Sequence, residues 1–188
     1  MKITSLLKTK KTVFKIDDFY QILGLENKFS LRNLITRRNK KGLLKNVFYG
    51  VWCLPNYNKY ELANILQRPS YISLETVLYQ KGVIFQNYSS TISSVGLKTR
   101  NINIGNITYS YKTIKKETFY DQLGIVYKDN YAIATVERAL CDMLYLNPSY
   151  YFDNLRAINR EKVFEIAKIY NNKRLILDLE KIKNGIEY

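Results

Sequence analysis

Apolar positions recur at close spacing in two stretches near the start of the chain. Ile16, Phe19, Tyr20, Ile22 and Leu23 form the first, and Gly24 ends it. Asp17 or Asp18 is positioned to cap this helix, and Gly24 suits the left-handed position after it. Residues 25–29 read as a turn. Ser30 is then the expected N-cap of a second helix reaching Lys41, which Gly42 stops. In that helix Leu31, Leu34 and Ile35 face inward, while Arg32, Asn33, Thr36, Arg37 and Lys40 face outward. Leu43-Leu44-Lys45-Asn46-Val47 and Val51-Trp52-Cys53-Leu54 flank Phe48-Tyr49-Gly50, which predicts a hairpin. Thr12-Val13-Phe14 is a short strand able to pair with it, and residues 1–11 predict a short helix with Ile3, Leu6 and Leu7 on one side. Helix, turn, helix and two-stranded hairpin is the order of a winged helix-turn-helix. In such a module the second helix enters the major groove of DNA and the hairpin reaches the adjacent backbone.

Pro55 closes the hairpin and residues 56–58 read as a linker. A short helix over 60–67 ends before Pro69-Ser70. Ser73 is the expected cap of a helix through Lys81, with Leu74, Val77 and Leu78 inside and Gly82 at its end. After Gly82 the pattern changes. Residues 88–97 and 102–112 are rich in Thr, Ser, Val, Ile and Tyr; 91–95 and 107–111 alternate as half-buried strands do, and Gly105-Asn106 is a turn signal between Ile104 and Ile107. Residues 125–127 and 131–134 predict another hairpin. Thr135 caps an apolar helix over 136–146, and helices near 160–170 and 173–183 follow. The expected fold class is α+β, an N-terminal winged helix-turn-helix followed by a C-terminal α+β domain with antiparallel strands and terminal helices. The expected domains are residues 1–55 and 60–188.

Charge sharpens this division. The chain of 188 residues carries a net +14. Residues 1–55 hold twelve Lys/Arg against three Asp/Glu, a net +9 that leaves +5 for the rest. Such a density favours a polyanionic partner, because neutralising phosphates releases condensed counterions. The base-reading candidates are Ser30, Arg32, Asn33, Thr36 and Arg37, since Arg pairs with guanine and Asn with adenine in bidentate fashion. Lys28, Lys40, Lys41, Lys45 and Tyr49 are the candidates for phosphate contact, which positions without reading sequence.

The remaining chemistry is thin. Histidine is absent, which removes His-based general bases and His-containing zinc sites. Cys53 and Cys141 lie in apolar surroundings and read as buried small hydrophobes. The chain has no phosphate-binding glycine loop and no GxSxG. Glu137 and Asp142 share a helix but are five apart, roughly 140° around it, and so poorly placed as paired acids. Glu137 complements the helix N-terminus instead. Asp178, Glu180 and Lys181 faintly match the acid-x-acid-Lys pattern of metal-dependent nucleases, yet fit a solvated helix face. No enzyme activity, cofactor or metal is expected. The short apolar start is no signal peptide and no apolar run spans a membrane, so the expected location is the cytoplasm.

Several stretches together resemble the AbiEi family, the antitoxins of type IV toxin–antitoxin systems. They are residues 12–54, with Gly42-Leu43-Leu44 and Tyr49-Gly50-Val51-Trp52-Cys53-Leu54-Pro55; then Glu61-Leu62-Ala63 and Pro69-Ser70-Tyr71-Ile72-Ser73-Leu74-Glu75; then residues 131–145. The family commonly has Pro where this chain has Val136. The resemblance covers residues 12–146 and implies two roles. The N-terminal module would bind inverted repeats in its own promoter and repress its operon, as a dimer or as cooperatively bound monomers. The C-terminal domain would counteract a nucleotidyltransferase toxin without a stable complex. The alternative is a nucleic-acid-processing enzyme, a metal-dependent nuclease delivered by the winged helix. A third reading uses the winged helix for protein contacts alone.

Overall fold

The computed structural model describes residue 6 and residues 8–24, 28–148 and 150–183, apart from the side chains of residues 28 and 183. Residues 1–5 and 7 of the predicted helix over 1–11 and residues 25–27 of the predicted turn lie outside the described residues; residues 8–11 are not helical, Lys10 having a φ of 57°. The chain forms two units. One comprises residues 1–68 with 129–131, and the other residues 69–128 and 132–188. The first boundary therefore follows Arg68 instead of falling between 55 and 60.

The first unit starts with strand β1 (Val13–Lys15), followed by helices α1 (Ile16–Leu23) and α2 (Lys28–Lys40). Asp18, inside α1, accepts the Lys15 N–H at 2.7 Å and so satisfies an otherwise orphaned donor at the helix start. Strands β2 (Lys45–Phe48) and β3 (Val51–Cys53) follow, and the sheet order is β1-β3-β2, all antiparallel. Leu6, Phe14, Phe19, Leu31, Ile35 and Leu44 form the buried core, with Trp52 and Leu54 packed against it. Leu31 and Ile35 anchor α2 from one side, each contributing roughly 1.5–3 kcal/mol by burial.

Helix α3 (Lys59–Leu66) belongs to this unit for a specific reason. Glu61 is buried and accepts both the backbone N–H (2.9 Å) and the hydroxyl of Thr12, at the entry to β1. The Thr12 hydroxyl oxygen in turn accepts the Asn58 N–H at 2.8 Å, and the Thr12 carbonyl accepts the Leu54 N–H at 2.9 Å. The expected linker over 56–58 is thus stitched to the sheet.

Burial raises the Glu61 carboxyl above its ordinary value, against the opposing pull of the Thr12 and Val13 donors and of Lys11. A raised folded-state value means the folded unit binds more protons. The stabilising contribution is then complete below the ordinary carboxylate range and is lost as pH rises through the folded value. Trp52 is the chain's sole tryptophan and sits in this unit. Urea unfolding followed by its fluorescence should show greater stability near pH 4.5 than near pH 7 from this group, and Glu61→Gln should flatten that difference. An unchanged pH difference in the variant would remove Glu61 as its source.

The second unit is α+β with a mixed six-stranded sheet. Its elements are β4 (Ser70–Ile72), α4 (Glu75–Gln80), β5 (Thr91–Gly96), β6 (Arg100–Ile104), β7 (Ile107–Lys112), α5 (Lys116–Tyr120), β8 (Ile125–Lys128) and β9 (Tyr131–Ala134). Helices α6 (Val136–Leu146), α7 (Arg160–Ala167) and α8 (Lys173–Lys183) close the described chain. The sheet order is β6-β7-β5-β4-β9-β8. The expectation of antiparallel strands is corrected at two places, where β4 runs parallel to β9 and β5 parallel to β7. For β5 and β7 the reason is that β6 forms a hairpin with β7, which turns back to lie between β6 and β5. Alternating polarity marks a residue as strand but does not name its neighbour.

Ser73 does not cap α4; Leu74 precedes that helix with φ 56° and ψ −140°. This backbone region is strained for a residue with a Cβ. It turns the chain sharply from β4 into α4 while Leu74 stays buried. Thr135 does cap α6, accepting the Arg138 N–H.

Candidate nucleic-acid interface

Helix α2 begins at Lys28, so Ser30 lies inside its first turn and is not its N-cap. The outward positions follow from helix geometry. At about 100° per residue, Ser30, Arg32, Asn33, Thr36, Arg37 and Lys40 fall within an arc of roughly 180°. All six are exposed, and Leu31 and Ile35 are buried on the other side. Leu34, expected inside, is half-buried at the margin of this arc. Ser30, Asn33, Leu34, Arg37, Lys40 and Lys41 line one open depression, shared with Arg38. Five of the ten candidate residues therefore meet in it.

The helix end is fixed by its hydrogen bonds. The Gly42 N–H donates to the Asn39 carbonyl (2.9 Å), and the Leu43 N–H reaches back to the Arg38 carbonyl (3.0 Å). This pairing requires a left-handed residue at Gly42, whose φ is 67°. Lys41 and Lys45 are exposed on either side of the turn.

The β2–β3 hairpin presents Tyr49, 97% exposed, beside Gly50 at its tip. Asn46 shapes that tip: its amide donates to the carbonyls of Phe48 (3.0 Å) and Val51 (3.1 Å) where the register shifts by a bulge. Among the described residues, no carboxylate pairs with Arg32, Arg37, Lys40, Lys41 or Lys45. Between residues 28 and 45 the chain has seven basic residues and no acidic one. Such a face repels itself and is relieved by a polyanion.

The chain matches no protein-family model and no curated protein.

The weaker candidates are accounted for elsewhere. Asp178 faces Arg174 (3.9 Å) and Lys181 (3.6 Å) along its own helix, and Glu180 is exposed. Glu137 accepts the Asn159 N–H at 3.3 Å. Among the described residues, no three His, Cys, Asp or Glu side chains gather as metal ligands would. Cys53 and Cys141 are free and buried, and burial first, with a nearby carboxylate second, raises the Cys53 thiol to about 12. No described helix is long and apolar enough to cross a membrane.

A buried polar cluster in the second unit escaped the sequence reading. Arg138 is fully buried on α6, with Asp142 one turn later and its Oδ1 3.5 Å from the Arg138 Nε. The Arg138 guanidinium also donates to the carbonyls of Thr118 (2.7 Å), Leu123 (2.9 Å) and Asp121 (3.3 Å) and to the Tyr71 hydroxyl (3.2 Å). Asp142 accepts hydroxyls from Tyr170 (2.6 Å), Ser73 (2.7 Å) and Tyr71 (3.1 Å). The Tyr71 and Tyr170 rings flank the guanidinium at 5.5 and 5.4 Å. Burial pushes the Asp142 carboxyl up, opposed by Arg138 and by the hydroxyls of Tyr170, Ser73 and Tyr71. For Arg138, burial disfavours the charge, but Tyr170, Asp142 and Tyr71 outweigh it and hold the proton more firmly than usual. The cluster joins α6 to β4, α5 and the turn after α7. Its one sequence signal is an Arg and an Asp four apart on a helix whose other charged residue is Glu137 in its first turn.

Proposed function

We propose that the chain is a sequence-selective DNA-binding repressor and that its first unit is a winged helix-turn-helix. The observation that carries this reading is the acid-free basic arc of α2, anchored by Leu31 and Ile35. An exposed polar face on a rigid, buried-backed helix is what major-groove readout needs. The order of α1, α2 and the β2–β3 hairpin agrees with such a module, with Arg32, Asn33, Thr36 and Arg37 toward base edges. In this reading Lys40, Lys41, Lys45 and Tyr49, all exposed, meet phosphates. Inverted repeats would bring two copies to one operator.

The resemblance to AbiEi antitoxins extends the proposal to the second unit, as the part that counteracts a nucleotidyltransferase toxin without a stable complex. One pair of variants tests both halves. Arg32→Ala and Arg37→Ala should each weaken binding to the chain's own upstream DNA by about 1–3 kcal/mol, roughly five- to 150-fold, and relax selectivity over scrambled DNA. Both should still rescue cells that express the toxin. Unchanged upstream affinity in both variants, measured by fluorescence anisotropy, would overturn the groove assignment. Rescue that disappears along with DNA binding would overturn the division of labour.

A further inference from the structure

Strands β5 to β7 and the start of α5 carry a second concentration of positive charge, in the other unit. From Thr76 to Lys116 the chain has six basic residues, Lys81, Lys98, Arg100, Lys112, Lys115 and Lys116, and no acidic one. Strand pairing gathers five of them at one end of the sheet. Arg100 opens β6 opposite Tyr111, next to Lys112 at the end of β7. Lys112 stands beside Val95 near the end of β5. Lys98 lies two residues before β6, while Lys115 and Lys116 lie just beyond β7 at the start of α5. A 3.0 Å bond between the hydroxyls of Thr99 and Thr113 holds the two segments together at this end. All five basic side chains are exposed. The Arg100 guanidinium lies 5.7 Å from the centre of the Tyr111 ring, which keeps it against the sheet.

The surface also shows how it would bind. Tyr109 and Tyr111 are buried, so β6 and β7 present no exposed ring on which a base can stack. Their exposed side chains are Arg100, Asn101, Asn103 and Lys112. Thr108 already occupies the Asn103 side-chain oxygen at 3.0 Å. Cations without stacking rings suit a phosphate backbone and leave base sequence unread. We infer that this end of the sheet is a second, sequence-independent contact for a phosphodiester backbone. Its ligand is DNA flanking the recognised site or an RNA strand; the two share the chemistry.

The test uses the full chain carrying Lys112→Gln, Lys115→Gln and Lys116→Gln together. These residues are exposed, and a thermal melt matching the parent establishes that the variant folds. Anisotropy is read across a salt series on the upstream duplex, a scrambled duplex and a mixed-sequence single-stranded RNA. On whichever nucleic acid the site holds, the slope of log K against log salt should fall by about 2–3 units. The ratio of upstream to scrambled affinity should stay at the parent value, the opposite of the Arg37→Ala result. Loss of slope on both duplexes identifies flanking DNA, and loss on RNA alone identifies RNA. Parent-like slopes on all three overturn the inference. Failure of the α2 reading looks different, because the parent itself would then show no preference for the upstream duplex while the slopes still decide this site. A parent that binds none of the three overturns both.

Discussion

Asp142→Ala is expected to destabilise the second unit by about 3–5 kcal/mol, because it strands a buried guanidinium without its counter-charge. The variant would also remove the shared acceptor of Tyr170, Ser73 and Tyr71. Arg138 cannot swing toward water, since it is fully buried and its donors are fixed on the carbonyls of Thr118, Leu123 and Asp121. Losing the charge pair and orphaning three hydroxyls act in the same direction. Asp142→Asn should cost less, because an amide oxygen still accepts hydroxyl hydrogen bonds. Replacing both partners, Arg138→Met with Asp142→Leu, should be less harmful than Asp142→Ala alone, because no buried charge remains. The units can be followed separately. The sole tryptophan, Trp52, reports the first unit, whereas far-UV circular dichroism reports both. In guanidinium, Asp142→Ala should shift a dichroism transition while the Trp52 transition keeps its midpoint. A loss below about 1 kcal/mol would show that the pair is not what holds α6 to its neighbours.

The sequence exposed what is local and concealed what is distant. Helix α2 was legible because its buried Leu31 and Ile35 repeat at helical spacing, and its end was legible because Gly42 permits the closing hydrogen bonds. The β6–β7 hairpin was legible from Gly105-Asn106, and α6 from Thr135. Strand β4 was missed because it is three residues long and directly follows Pro69, too short for alternation to register. The five-residue α5 escaped for the same reason. The apolar side chain of Leu34 predicts a buried position, yet it sits where the buried side meets the exposed arc. Along its own helix Asp142 offers only Glu137 and Arg138 for comparison, whereas its partners Tyr71 and Tyr170 lie 71 and 28 residues away in sequence. Periodicity says that a residue is inside; it does not say what the residue meets there. The candidate interface was legible for the complementary reason. Exposed charge needs no distant partner to be recognised, so the net +9 of residues 1–55 and the outward basic positions of the second helix already marked it.

Gly124→Ala is expected to cost about 2–4 kcal/mol, the sum of a left-handed backbone penalty and local overpacking. Gly124 has φ 79°, and a Cβ there would stand 2.8 Å from the Arg138 Cβ and 3.0 Å from the Ile166 Cδ1. The first of these neighbours cannot yield by rotating, because a Cβ is fixed by its own backbone, here that of α6. The Gly124 carbonyl also accepts the Thr135 N–H at 2.7 Å, at the residue that caps α6. A shift of residue 124 would therefore pull on the cap as well as on Arg138. Gly105 supplies the control, with φ 58° and nothing within 4 Å of an added Cβ. Gly105→Ala should lose only the backbone part, roughly 1–2 kcal/mol. The difference between the two variants, read from thermal or guanidinium melts, isolates the collision with Arg138. Equal losses would mean that the packing of α6 against this turn is loose enough to absorb a methyl group. A larger loss at Gly124 would show that the buried ion pair sits on a backbone surface with no room to move.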